Sequence, residues 1–559
     1  MLHRHFIPVH FPFRTTAHIR DLPGPPPRSL LTGNLAQLFS PKGLPFHLRL
    51  GEVYGGVVRV WGFFPVYVSD PRAISVILGK EGECFDETGV FLECNKIIFG
   101  PGLVSTTGEL HKRQRKLALP MFSTRQLGRA EGVFGEVGEK VYRSRDEDTN
   151  EPTEGILDMS EWTSRGSLEA AGRAILGYSF DPLDSRVANR YTSAIKELIP
   201  TLFSLALVRN FAPFLVKLGP PAFRRWVVER IPSRRVRKVM ESSDVMHESA
   251  RGILDERRAA LLSSSRSSSN TTTIRGNTNS DHNSADEDSA SEPKDIITTL
   301  LHTNSLCAEG DRMSDAELTG QMTVLIFGAQ DTTAGALARV FWRLSRDGEV
   351  QRRVREEIKR AWEEGRSHHL VTNNDNNEDD GKEEKRLDVD AIMGLPETLR
   401  VYPPVPFVRR VCTKATAIPY TPSIPSLYPS PTPPTPPASP SATSVSPTTT
   451  AATPGDSTGT RDKKGRGTAR KPYSDHVKIP GAWNGMLTFL GGGRSCVGSR
   501  FAIIEMKIIL ATVLSKMYFK PTGDEIAWNL SQIISPSVVR RLTEEKGLPL
   551  VAVLDDLTV

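Results

Sequence analysis

The chain of 559 residues carries a formal net charge of +6 and an isoelectric point of about 9.0. This bias is too diffuse to argue for nucleic acid but suits a basic patch that docks an acidic protein or a lipid surface. Its five cysteines, Cys84, Cys94, Cys307, Cys412 and Cys496, are scattered and lack any C-x-x-C pair, which excludes a disulfide framework or zinc site and implies a reducing compartment or its cytosolic face.

In residues 1–21, Phe6, Ile7, Val9, Phe11 and Phe13 are interrupted by histidine, arginine and proline. No run of about 18 apolar residues is left to span a bilayer, and no secretory signal is evident. A proline-rich stretch, Leu22 to Arg28, follows. Gly56 to Asp70 holds two β-branched and aromatic runs broken by Gly62 and Pro65, which predicts a hairpin, and Asp70 before Pro71 predicts a capped helix. Gly108 to Lys116 is a basic helical stretch in which His111 and Arg115 share one face, while Lys112, Arg113 and Lys116 are expected to face outward. A solvated basic helix is the plainer alternative.

Leu198 to Val239 mixes short apolar runs with Arg224, Arg225, Arg230, Arg234, Arg235 and Arg237. Such a segment can lie in a membrane interface, although core helices fit it too. Residues 263–292, rich in serine, threonine and asparagine, predict a disordered insertion. Ser314-x-x-Glu317 is a capping box opening a helix that runs through Gly328-Ala329-Gln330-Asp331-Thr332-Thr333. The Thr332 hydroxyl is placed to bond the carbonyl four residues back, at Gly328, and such a bond with glycine beside it can bend a helix. Asp331 in mid-helix is costly to bury without a partner or a task. Residues 373–386 form a second insertion, acidic and asparagine-rich. Glu397 and Arg400 stand at ion-pair spacing in a helix that Pro403, Pro404 and Pro406 end. Residues 413–471, rich in proline, serine and threonine, read as polyproline and disorder.

Near the C-terminus, Cys496 sits in a turn with Gly491, Gly492, Gly493 and Gly498, directly before an apolar helix from Phe501 to Met517. Converging amides and the helix's positive end are expected to lower the thiol pKa and hold a thiolate. Arg494 offers a planar fork for a carboxylate, and Phe489 a shielding ring. A lone buried cysteine is the ordinary alternative.

Phe489-x-x-Gly492-x-Arg494-x-Cys496-x-Gly498 resembles the heme-binding signature of the cytochrome P450 monooxygenases. Gly328 to Thr333 resembles that family's oxygen-binding motif, with Ala329 where a second glycine is usual. Glu397-x-x-Arg400 resembles its buried ion pair, and Leu22 to Arg28 the hinge after a microsomal anchor, here without the anchor. The resemblance implies a mainly α fold with a small β region, one domain over residues 22–559, with insertions 263–292, 373–386 and 413–471. It implies heme b with Cys496 as axial metal ligand; Asp331 and Thr332 as catalytic proton relay; and His111, Arg115, Arg410, Phe489, Arg494 and Gly498 around the cofactor.

The implied reaction inserts one atom of O2 into an apolar small molecule and reduces the other to water. Electrons would come from NADPH through a separate NADPH-cytochrome reductase, on the cytosolic face of the endoplasmic reticulum, with peripheral membrane contact and no nucleic acid. The meander motif, whose arginine completes a triad with Glu397 and Arg400, is not found between Thr413 and Lys471. A catalytically impaired heme protein or an imperfect gene product therefore stands as the alternative, beside an interaction protein working through its proline-rich segment.

Overall fold

The computed structural model describes residue 19 and residues 21–554, apart from 63–65, 81, 149–153, 184–189, 273–294, 373–394, 415, 421–480, 484–485 and 541–542. The expected insertion 373–386, and 413–471 from residue 421 onward, lie outside the described residues.

Helix α1 (Leu44–Tyr54) leads into a hairpin of β1 (Val57–Arg59) and β2 (Val66–Val68), with Val57 opposite Val68, as the sequence predicts. The Asp70 carboxylate accepts the amides of Arg72 and Ala73, and Pro71 opens the short helix it caps. Next come β3 (Phe85–Asp86), α2 (Gly89–Phe99), α3 (Gly108–Ala118), α4 (Thr124–Asp148), β4 (Glu154–Asp158) and α5 (Met159–Ala171). They are followed by α6 (Arg190–Ser204), α7 (Pro221–Arg230), α8 (Arg234–Thr272) and α9 (Ile296–Leu306). Because α8 continues to Thr272, the expected insertion at 263–292 begins inside a helix. That corrects the compositional reading: serine and asparagine are weak helix formers but do not halt a helix already nucleated.

The central helix α10 (Asp315–Ser345) starts at the capping box. The Glu317 amide donates to Ser314 Oγ at 3.3 Å, and the Ser314 amide to Glu317 Oε2 at 2.9 Å. Helix α10 packs against α5, α2 and α8, with Leu337, Phe341 and Ile326 fully buried; each such side chain contributes about 1.5–3 kcal/mol by leaving water. Beyond it lie α11 (Gly348–Thr372), α12 (Leu395–Val401), β5 (Val411–Cys412), β6 (Gly481–Trp483), β7 (Met486–Gly491) and α13 (Ser499–Lys516). Helix α13 is apolar around most of its circumference and lies in the core against α4, where Phe501 meets Phe134 edge-on at 5.1 Å.

Strands β8 (Met517–Pro521), β9 (Glu525–Ser531), β10 (Ile533–Val539), β11 (Glu544–Lys546) and β12 (Pro549–Leu554) close the chain. β12 lies antiparallel between β4 and β8, Val551 facing Ile156 and Lys520, so the C-terminus is stitched to the first third of the chain. The β9–β10 hairpin turns at Gln532 (φ +77°).

Candidate active site

Strand β7 delivers the chain into the cysteine loop. Gly492 has φ +68°, and a Cβ there would lie 2.1 Å from the Leu78 carbonyl oxygen, so only glycine fits. The Cys496 amide donates to the Phe489 carbonyl at 2.9 Å, and the Ala502 amide to Gly498 at 2.9 Å, starting α13. From α3, Arg115 donates to the Ser495 carbonyl at 2.7 Å and hydroxyl at 2.8 Å, clamping the loop. Cys496 has protein packed around it yet keeps an exposed surface. Burial pushes its thiol up, outweighing the Gly498 amide and the Arg115 charge that pull it down. This corrects the expectation of a thiol lowered by the helix end.

Beside the loop lies a charge cluster drawn from distant segments. His111 is buried; burial first, then the charges of Arg494 and Arg115, bring it down to about 4, so it is neutral imidazole near pH 7. Arg494 pairs with Asp86 at 3.0 Å and Arg410 with Glu87 at 2.9 Å. These carboxylates at the β3 edge escaped the sequence reading, since nothing in the local sequence indicates that strand β5 brings Arg410 beside them. Burial raises the Glu87 carboxyl, against the pull of Arg410 and Arg494. Arg410 Nη2 is buried with no hydrogen-bond partner, a donor aimed where a carboxylate would satisfy it.

Two expectations fail here. Arg113 does not face outward: it pairs with Glu317 of α10 at 2.6 Å, whereas Lys112 and Lys116 are exposed. Nor is the Glu397–Arg400 pair buried. It forms at 2.6 Å, but its side chains are 69% and 43% exposed.

On α10, Thr332 Oγ1 donates to the Gly328 carbonyl at 2.7 Å, as expected. Gly328 is exposed in mid-helix, and a Cβ there would meet nothing within 4 Å; Ala329 is part-buried against the core. Asp331 lines a cavity of about 70 Å³ with Ser160, Ser164 and Ile533. A larger cavity, about 650 Å³, is bounded by Leu35, Phe39, Phe203, Lys42 and Glu544, and the Lys42–Glu544 pair closes at 2.7 Å on its wall. The two cavities share Pro200, Ser531, Ser535 and Lys546.

The family model described as Cytochrome P450 matches residues 23–425 and 478–539. The chain belongs to the cytochrome P450 family. It is 32% identical to cytochrome P450 monooxygenase 91 of Postia placenta over 92% of this chain and 91% of that one. It is 27% identical to ganoderic acid synthetase CYP5150L8 of Ganoderma lucidum over 94% of this chain and 93% of that one. As a cytochrome P450 it is a monooxygenase, and the family's cofactor is a heme held by a thiolate. The residues present fit that group: a cysteine that keeps an exposed surface, an orphaned Arg410 donor for a carboxylate, and an open flank of α10 at Gly328.

Proposed function

We propose that this cytochrome P450 hydroxylates or epoxidises an apolar small molecule with O2 and NADPH-derived electrons from a separate reductase. The supporting observation is the convergence on Cys496 of the Gly498 amide and the Arg115 clamp. In this reading Cys496 would hold the heme iron through its sulfur as a thiolate, the metal's charge offsetting the burial that otherwise keeps the thiol neutral. His111, Arg115, Arg410 and Arg494 hold the propionates, while Phe489 and Gly498 frame the sulfur. When bound, the heme supplies dioxygen activation, which the thiolate's electron density favours. Thr332, anchored to Gly328, presents a hydroxyl, and Asp331 beside its cavity passes protons inward along water.

The apolar walls of the larger cavity suit a lipophilic substrate, and the relative named as a ganoderic acid synthetase is in keeping with a place in secondary metabolism. Phe211, Phe214, Phe223 and Trp226, 61%, 63%, 50% and 51% exposed, stand among arginines and suit an anionic lipid surface such as the cytosolic face of the endoplasmic reticulum. Among the described residues no helix is long and apolar enough to cross a membrane. Lys112 and Lys116 would meet an acidic reductase.

The outward Glu397–Arg400 pair favours a second reading, a heme protein impaired in turnover. Reduced, CO-treated protein should show the thiolate-type Soret shift, and Cys496→Ser should lose it, because a serine alkoxide does not form near neutral pH. Retention of the shift in that variant would sink the ligand. NADPH consumption coupled to product in the presence of reductase separates the enzyme from the impaired protein.

A further inference from the structure

Alternation along the β9–β10 hairpin sorts its side chains onto two faces. Trp528, Leu530 and Ile534 pack into the hydrophobic clusters, while Asn529, Ser531, Ser535 and Ser537 line the cavity of about 650 Å³. A polar sheet face is ordinarily covered by water. This one is largely withdrawn from it: Ser531 and Ser537 are buried, and the same cavity is lined by Leu35, Phe39 and Phe203. Most of the polar row is already committed. Asn529 Nδ2 donates to Ser537 Oγ at 2.8 Å and to the Glu544 carboxylate, and Ser531 Oγ donates to the Ile533 carbonyl at 2.9 Å. Glu544 is held below its usual range first by the Lys42 bond, then by Asn529, with Ser537 adding to them, so it accepts and fixes which end of the Asn529 amide faces it. Two atoms of the row remain. Asn529 Oδ1 is buried without a partner, and Ser535 Oγ makes no hydrogen bond among the described residues. The strand register sets these two residues directly opposite each other.

We propose that Asn529 and Ser535 form a hydroxyl-binding subsite in this cavity, so that the substrate is an apolar molecule already carrying a hydroxyl group. The pair selects that group by its bonding capacity. A hydroxyl donates to Asn529 Oδ1 and accepts from Ser535 Oγ, whereas an ether, ketone or carboxylate oxygen only accepts and leaves the amide oxygen unserved. A hydrocarbon leaves both unserved, and a buried polar group without a partner is costly. Sites built to bond a substrate hydroxyl reject the analogue lacking it far more sharply than apolar pockets reject a missing methylene. A reaction that installs a hydroxyl, by hydroxylation or hydration, must therefore supply this substrate. Ser535 also lines the small space beside Asp331, which puts the anchored hydroxyl at the wall common to both cavities. The inference rests on the monooxygenase reading only in calling the bound molecule a substrate.

Equilibrium dialysis of the heme-loaded full chain against 1-dodecanol, its methyl ether and dodecane tests this without turnover. In the parent protein the alcohol should bind more tightly than the ether, which accepts but cannot donate. Ser535→Ala should then weaken the alcohol relative to dodecane by about three- to tenfold, the loss of one hydrogen bond. Alcohol and ether of equal affinity would mean that the amide oxygen meets no ligand donor, and would overturn the proposal. So would an alcohol-to-dodecane ratio that Ser535→Ala leaves as it was, or a parent protein that binds none of the three. Should the variant not fold, the alcohol and ether on the parent decide. The two readings fail separately: a hydroxyl preference without NADPH-dependent oxidation in the presence of reductase removes the monooxygenase and keeps the subsite, and oxidation without that preference does the reverse.

Discussion

The cysteine loop and helix α12 both carry family motifs at the right spacing, and they differ in what surrounds them. Around Cys496, groups arrive from α3, β3 and the segment before β5, each fixed by a contact that spans hundreds of residues, and join the amide at the start of α13. Around Glu397 the partner is Arg400, three residues on, and both point to solvent. Spacing along a helix specifies a local pair; only the rest of the fold decides whether that pair is shielded, and shielding gives an ion pair its weight.

Breaking the loop should therefore cost most. Gly492→Val places a β-branched residue at φ +68° and drives its Cβ toward the Leu78 carbonyl. The backbone term alone is about 1–2 kcal/mol, and with the clash the total should reach about 4 kcal/mol or more. Thermal unfolding and heme content would both register it; full heme at an unchanged Tm would erase the contrast.

Arg113→Ala tests an intermediate case, a long-range pair at the start of α10. Removing the cation that shares Glu317 with Gln114 and Ser314 should cost about 1–3 kcal/mol in urea unfolding near neutral pH. Burial of Glu317 opposes its ionisation, but the Ser314 amide, Gln114 and Arg113 win, holding the carboxyl below its usual range. The sign follows: its stabilisation is present above the unfolded value of about 4.3 and fades as pH falls through the lower folded value. The variant should lose part of that acid-side slope, and an unchanged slope would mean that the cap alone sets the ionisation.

Arg400→Gln should cost least. An exposed pair contributes about 0.2–1 kcal/mol, screened by salt. A loss of several kcal/mol in chemical unfolding would show that α12 bears more than its exposed surface implies.

Much of the site was legible because its signals are local: the capping box at Ser314, the Thr332 bond to Gly328, the hairpin before Asp70, and the glycine that the cysteine turn demands. What escaped was non-local. Asp86 and Glu87 acquire meaning only when β5 carries Arg410 past them, and Arg113 turns inward only because Glu317 waits there. The direction of the Cys496 shift depends on how much protein surrounds the sulfur, which a helix-end argument ignores. Composition misjudged residues 263–272, since α8 carries its own momentum into a serine-rich stretch.

The wall common to the two cavities has a further consequence. Pro200, Ser531, Ser535 and Lys546 line both the roomy apolar chamber and the small space at Asp331. Displacing any one of these four residues therefore alters the lining of both spaces at once.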